Sequence, residues 1–583
     1  MRPSLLRHRS WATLLPCLNW PRPSWRSLVQ DARAGCSVGL VLVPQAVAYA
    51  ALAGMPPETG LYAALWPALV GVLWGSAPLL AVGPVALTSL LTAASLQGLA
   101  TPGSTEWVAL AMWLSLYAGL MQLAMGLAGL GRLVDLVSHP VMTGFVHAAA
   151  VLIAWSQTPA LLGLHAGWMP PLAHGVSLFG LTGASMLASP WVLDLALGLG
   201  ALCFLVWQRR RWPTFPGFVL VTVLGILVSW STGHAARGGS VVGSLSAGLP
   251  TLTGLPPLGF DQHRALWPAA LVIALIGFTE ALSSCQALAR QQPQPWDENQ
   301  ELCGQGLAKL ASAFSGAFPV SASFSRTALN VFVGARSAWS TLFSVLCVLA
   351  CLLWLTEALG GLPRSVLAAM VIAPVLGLVD GPGLRQLWRL SRPDAALAAA
   401  TFAATLLAAP QMQWGVFTGV GLSMVAFLWR RMQPRIVEVG LHADGSLRCR
   451  QRFGLPALAP GLLALRMDAA LSFLTASALL REVEGRCRTA TGLHTVLLCG
   501  SGINDIDASG ALALQRLSAR LKQAGIQLSL CALKQPVQAR LAQLAEPPCP
   551  AGLVFATDRA ALAHFQGAIG GAPMASDLRP APA

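Results

Sequence analysis

Residues 318–330 read FPVSASFSRTALN: one short stretch of a largely apolar chain holds Pro319, four hydroxyls and the cation Arg326. Ser321, Ser323 and Ser325 can donate hydrogen bonds, and Arg326 adds a full positive charge, so the chemistry on offer is capture of an anion. An arginine near the centre of a membrane helix costs about 2.5–3.5 kcal/mol on insertion scales and therefore faces a cavity or a partner. The alternative is that Arg326 snorkels to the cytoplasmic interface. Glu280 is a second intramembrane charge, able to pair with Arg326, bind a cation, carry a coupling proton or serve as a plain interhelical hydrogen bond. Ser284, one turn on, shares its face. Gln45 and Tyr49, also one turn apart, can orient a ligand through neutral hydrogen bonds, although an intramembrane Gln is often only interhelical glue. Lys309 reads as a snorkelling lysine at a cytoplasmic helix end, and His139 and His147 as packing or capping residues.

A second stretch has the same plan. VGPVALTSLL (82–91) also has a proline followed by a short hydroxyl-bearing helix, and Pro84 and Pro319 stand 235 positions apart, as do Gln45 and Glu280. A helix that begins inside the membrane presents free N–H groups and a partial positive charge at its start. Two such starts facing each other form an anion site that needs little side-chain charge. Thr88 and Ser89 would add donors, and Pro84, Val85 and Phe324, at the starts themselves, join the residues expected to line the pocket. Coincidental spacing in compositionally simple apolar sequence is the competing explanation.

The elements that must position these residues are membrane spans. The 583-residue chain is 55% hydrophobic and only 10% charged, where soluble domains carry roughly 25% charged residues. At about 20 residues per span, residues 34–429 hold fourteen expected helices, the third at 84–99 and the tenth at 320–335. Seven spans separate equivalent members, so a first repeat (34–232) and a second (266–429) have opposite orientation, the pattern of an inverted-repeat transporter. Arg132, Arg209, Arg210, Arg211, Arg290, Arg336, Arg385, Arg389 and Arg392 fall in loops on one side, against Arg237, Arg264 and Arg364 on the other. By the positive-inside rule the richer side is cytoplasmic, and so are both termini. The net charge of +14 is thus a topology signal, and nucleic acid is not an expected partner. The twelve cysteines show no CxxC pair, so neither a metal site nor a disulfide framework is expected, and no cofactor.

At these residues the chain resembles the SulP family of anion transporters. The stretches that carry the resemblance are VGLVLVPQAVAYAALAGMPPETGLYAALWPALVGVLWG (38–75), AVGPVALTSLL (81–91), SHPVMTGFVHAAAVLIAWSQ (138–157) and NQELCGQGLAKLASAFSGAFPVSASFSRTALN (299–330). The resemblance implies a polytopic α-helical membrane protein with fourteen helices in a seven-plus-seven inverted repeat, a core domain moving against a gate domain, and a homodimer. It also implies an anion site between the third and tenth helices, lined at Gln45, Tyr49, Ser323, Ser325 and Arg326. Glu280 matches a position tied to cation coupling, aspartate in sodium-dependent members and glutamate in proton-coupled ones, so the coupling ion is expected to be a proton or sodium. Lys309 departs from the neutral or small residue usual there.

After WRRMQPR (429–435) the composition changes. Residues 440–570 read as alternating strands (462–467, 470–476, 494–500, 526–533, 552–556) and helices, an α/β domain with a mostly parallel sheet. It resembles the STAS domain, and DIDASGALAL (505–514) matches that domain's loop-into-helix motif, with Ser509 at a phospho-acceptor position and Asp507 at the helix N-cap. A cytoplasmic protein could partner this domain. Residues 1–33 read as a cytoplasmic segment and 571–583 as a disordered tail.

The expected function is secondary active transport of a small inorganic anion, sulfate first, by proton symport or exchange across a bacterial inner membrane. Bicarbonate, chloride or a C4-dicarboxylate are alternatives of the same class. An anion sensor signalling through the STAS domain and a channel are alternatives of other classes. Without a P-loop, a nucleophile–base pair or a metal-ligand motif, an enzyme is not expected.

Overall fold

The computed structural model describes residues 16–567 apart from 21–22, 132–136, 165–189, 213–214, 247, 251, 253, 292–295 and 545. Arg132, the first fifteen residues and the tail expected at 571–583 lie outside the described residues. The chain separates into two compact units, Met1–Ser423 and Met424–Ala583.

Fourteen helices match the expected spans. In the first half they are α1 (Trp25–Leu52), α2 (Pro57–Trp74), α3 (Ala86–Leu96), α4 (Thr105–Leu127), α5 (His139–Leu161), α6 (Pro190–Arg211) and α7 (Gly217–Ser231). In the second they are α8 (Phe260–Gln291), α9 (Glu298–Phe314), α10 (Phe324–Val333), α11 (Trp339–Trp354), α12 (Arg364–Val375), α13 (Arg392–Ala408) and α14 (Gln413–Met432). Helices are what such apolar runs must form, because hydrocarbon offers backbone N–H and C=O groups no partner outside their own segment. Among the helices not expected, the ten-residue Gly381–Leu390 lies between α12 and α13, N-capped by Asp380. Its sequence alternates arginines (Arg385, Arg389) with exposed Leu384, Trp388 and Leu390, the pattern of a helix lying in an interface.

The packing repeats across the two halves. α1 packs on α11 and α8 on α4; α9 on α4 and α2 on α11; α5 on α13 and α12 on α6; α1 on α10 and α8 on α3. Each member of a pair becomes the other when seven is added to or subtracted from its helix numbers, which is what a pseudo-two-fold axis between the repeats requires. Small residues permit the closest approaches: a Cβ on Gly306 of α9 would stand 2.8 Å from the carbonyl oxygen of Gly119 in α4.

α3 and α10 are half-length, with 11 and 10 residues. Each is preceded by a two-residue strand, β1 (Val82–Gly83) and β2 (Ser321–Ala322), and the two strands pair antiparallel with Val82 opposite Ala322 and Gly83 opposite Ser321. The residue before a proline is pushed out of the helical region, which holds Gly83 extended ahead of α3. Pro319 does the same to Phe318, upstream of β2, and the β1–β2 pairing itself keeps Ser321 and Ala322 extended ahead of α10.

The second unit is a six-stranded sheet in the order β4-β3-β5-β6-β7-β8. β3 (Ile436–Leu441) and β4 (Leu447–Cys449) are antiparallel additions that alternation alone does not reveal, whereas β5 (Leu462–Met467), β6 (Thr495–Cys499), β7 (Gln527–Cys531) and β8 (Val554–Phe555) run parallel. The strand expected at 470–476 is a turn: Thr475 Oγ1 accepts the Ser472 N–H at 2.9 Å and donates to the Ala470 carbonyl at 2.8 Å. These local bonds compete with a sheet ladder and lead into α15 (Ala476–Thr489). α16 (Ala508–Gln523), α17 (Gln535–Leu541) and α18 (Asp558–Gly567) complete the unit.

Candidate functional site

The site grows from the crossing of β1 and β2. Ser323 N–H donates to the Ala81 carbonyl at 2.8 Å, and Ala81 N–H donates to Thr327 Oγ1 at 3.0 Å. This lattice ties the starts of α3 and α10 to each other, so that two helix N-termini lie side by side in the middle of the first unit. Their partial positive charges add at one place. Val85 is the N-cap of α3 and offers no side-chain cap, whereas Ser323 caps α10 by accepting the Arg326 N–H at 3.4 Å.

Arg326 binds the two repeats together. Its Nη1 donates to the Pro84 carbonyl at 2.9 Å, it is 2% exposed, and its Nε and Nη2 are buried with no hydrogen-bond partner. Snorkelling is therefore excluded. A Cβ on Gly83 would sit 3.3 Å from Nη2, so the glycine leaves the guanidinium room against the backbone.

The predicted hydroxyls divide. Thr88 and Ser89 donate back to the Val85 carbonyl at 3.2 and 2.8 Å, and Ser321 donates to the Gly277 carbonyl at 2.9 Å. Thr88 and Ser89 thus spend their protons inside their own helix and brace its start, whereas Ser321 stands between the Gly277 carbonyl and the Glu280 side chain. Ser323 and Ser325 share a hydroxyl contact of 3.3 Å. Ser325 is exposed, and Phe324 is 59% exposed. Pro84 and Val85 are buried.

From α1 come Gln45 and Tyr49, both buried, with Gln45 Oε1 unpartnered. From α8 comes Glu280, half-buried, whose Oε2 is unpartnered too. Tyr49, Glu280 and Arg326 lie within one another's electrostatic reach. Among the described residues Glu280 and Arg326 make no ion pair, so the pairing allowed by the sequence is not formed. Ser284 donates to the Glu280 backbone carbonyl at 2.9 Å, a helix-internal bond that leaves the carboxylate alone.

Lys309 corrects the sequence reading. It does not snorkel but is fully buried, its Nζ donating to Gln122 Oε1 at 2.9 Å while Gln122 Nε2 donates to the Ala274 carbonyl at 2.6 Å. Its charge reaches Glu280. Gln122, Thr327 and Asn330 were missed as well. Asn330 Nδ2 bridges the Leu79 carbonyl and Ser340 Oγ; three and four residues beyond Thr327 and Arg326, helical spacing could have flagged it. Gln122 had no signal beyond being polar in an apolar run. Glu301, fully buried, accepts from Ser76 N–H and Ala77 N–H at 2.9 and 3.1 Å and fixes the turn after α2. His147 accepts the Asp380 N–H at 3.0 Å, a capping role as expected.

In the second unit Asp507 is the N-cap of α16, accepting the Gly510 N–H at 2.7 Å, and Ser509 is exposed in the first turn.

The sequence pattern of the sulfate permease family matches residues 28–401, and that of the STAS domain matches 457–546. The chloroplastic sulfate transporter 4.1 of Arabidopsis thaliana is 31% identical over 548 residues, covering 89% of this chain and 77% of the relative. A probable sulfate transporter of Mycobacterium tuberculosis is 30% identical over 518 residues, covering 88% and 91%. Among solved structures, the murine Solute Carrier 26 family member A9 anion transporter in the inward-facing state superposes with a TM-score of 0.84 at 22% identity, covering 97% of this chain and 96% of that one. The transmembrane domain of a cyanobacterial bicarbonate transporter, BicA, gives 0.57 at 23% identity over 69% of this chain and 99% of its own.

Proposed function

Because the chain belongs to the sulfate permease family, we propose that it moves a small inorganic anion, sulfate first, across a membrane by alternating access. The observation that carries this reading is the pair of unspent donors beside the paired helix starts, Arg326 Nε and Nη2; Gln45 Oε1 and Glu280 Oε2, also unpartnered, are acceptors suited to a proton and not to the anion. Buried polar groups are ordinarily satisfied, and a guanidinium with free donors beside two positive helix ends is complementary to an oxyanion. The anion would rest against the N–H groups opening α3 and α10, with Arg326 supplying the full charge and Tyr49 a neutral donor. Helices α1–α4 with α8–α11 would carry the site past α5–α7 with α12–α14, exposing it first to one side and then to the other.

Glu280 is the coupling group of this proposal. It takes a proton with the inbound anion and offsets the anion's charge during the crossing; Ser284 supports its helix turn. The chain works as a homodimer in a bacterial inner membrane, with both termini cytoplasmic, and Ser509 is a site for phosphorylation or for a protein partner.

The deciding measurement is uptake of labelled sulfate into proteoliposomes, competed with unlabelled bicarbonate, succinate and chloride at two pH values. Labelled uptake that none of the three competitors lowers names sulfate as the substrate. Flux no greater than that of empty liposomes rejects transport, and intact anion binding in that case marks a sensor.

A further inference from the structure

The second unit brings together residues that no sequence spacing connects. Cys499 ends β6 and Cys531 ends β7, and the two are register partners on neighbouring parallel strands. Both are fully buried on the sheet face covered by Ala561 and Leu562 of α18. Asp558 opens α18 immediately after β8, and β8 in turn sets Phe555 opposite Cys531. The strand register and the short β8–α18 link thus deliver two thiols and a carboxylate to one point at the carboxyl edge of the sheet. Their ligating atoms all lie within 4.8 Å of one another, and Cys531 Sγ donates to Asp558 Oδ1 at 3.3 Å.

Three properties distinguish this cluster from ordinary packing. The thiols are free. Two sulfurs bound at about 2.3 Å to one tetrahedral ion stand roughly 3.8 Å apart, inside the 4.8 Å that bounds the separations of the cluster's ligating atoms. The carboxylate is half-buried whereas both sulfurs are fully buried, so one side of the cluster remains open to an entering ion and to its fourth ligand. A thiolate pair with one carboxylate selects a soft or borderline divalent ion over magnesium or calcium.

We propose that Cys499, Cys531 and Asp558 form a three-ligand site for a thiophilic divalent cation of the zinc class. The ion would staple the ends of β6 and β7 to the first turn of α18, holding the last helix on the sheet, next to the segment that leads from β6 into the Asp507–Ser509 loop. The site lies wholly in the second unit and does not depend on what the membrane helices carry.

The test uses the full-length chain, purified in detergent under reducing conditions, stripped with chelator and titrated with Co²⁺ alone. The expected result is a thiolate-to-cobalt charge-transfer absorption that saturates at one equivalent per chain and is displaced by Zn²⁺. C499A/C531A abolishes it, D558N weakens Co²⁺ binding at least tenfold, and C549A, which alters a buried thiol outside the cluster, leaves it unchanged. Absence of the band in the unaltered protein overturns the proposal, as does its survival in C499A/C531A. Should that double variant aggregate, D558N decides, since an unchanged Co²⁺ affinity there also overturns it.

Discussion

Arg326 of the second repeat donates to the main-chain carbonyl of Pro84 in the first, at 2.9 Å. A single hydrogen bond thus fixes the cation of one half-helix to the break that begins the other. The remaining guanidinium donors stay where two helix dipoles converge, which sets the electrostatics of the site.

Arg326→Ala removes a charge-assisted donor, an interaction of about 1.5–3 kcal/mol, equivalent to a loss of sulfate affinity on the order of tenfold to a hundredfold. Arg326→Lys keeps the charge but not the fork and recovers only part of the loss. Sulfate binding and uptake by the two variants in liposomes check this; wild-type affinity in R326A removes Arg326 from the site.

Glu280→Gln keeps the size and hydrogen bonding of the side chain but cannot exchange a proton. Uptake by the parent protein is expected to quicken under an inward proton gradient, whereas E280Q should ignore the gradient and still catalyse sulfate–sulfate counterflow. A variant that still responds to the gradient shows that coupling resides elsewhere.

Lys309→Met is expected to lower the thermal midpoint of the detergent-solubilised protein. It deletes the donor to Gln122 Oε1 and strands a buried acceptor, at about 1–3 kcal/mol. An unshifted midpoint would mean that burying the ammonium costs as much as its hydrogen bond returns.

Gly306→Leu should abolish monodisperse protein on size exclusion, because the contact its Cβ would meet at 2.8 Å is the Gly119 backbone oxygen and cannot swing away. Gly421→Leu, where a Cβ meets nothing within 4 Å, should behave as the parent does.

Ser446, through its hydroxyl and then its amide, both on Asp444 Oδ1, holds that carboxyl well below the usual carboxylate range, with His442 and Arg448 acting in the same direction. A depressed folded-state value means that the β3–β4 turn is fully stabilised above the unfolded Asp value of about 3.9 and loses that contribution only as pH falls below it. Ser446→Ala should raise the Asp444 titration midpoint, as read by carboxyl-carbon NMR of selectively labelled protein.

Much of the membrane unit could be read from residue order. Hydropathy runs located α1–α14, because span length is set by bilayer thickness, and Pro84 and Pro319 marked the half-helices, because proline restricts its predecessor wherever it stands. Gly381–Leu390 escaped because an amphipathic helix of ten residues resembles a charged loop when only apolar runs are counted. The strand expected at 470–476 failed for a related reason, since its side-chain hydroxyls bond within a turn that apolar patterning ignores.

Composition and spacing by themselves determined that this chain crosses a membrane in two related halves and ends in an α/β domain, since burial of apolar surface and chain stiffness act along the sequence. Only the tertiary structure decided which polar groups are spent and which are free. It showed Thr88 and Ser321 bonded to carbonyls, Arg326 left with two unused nitrogens, Lys309 sealed against Gln122, and Cys499 beside Cys531. A hydrogen bond is settled by three-dimensional proximity between segments up to hundreds of residues apart, and no local pattern records it.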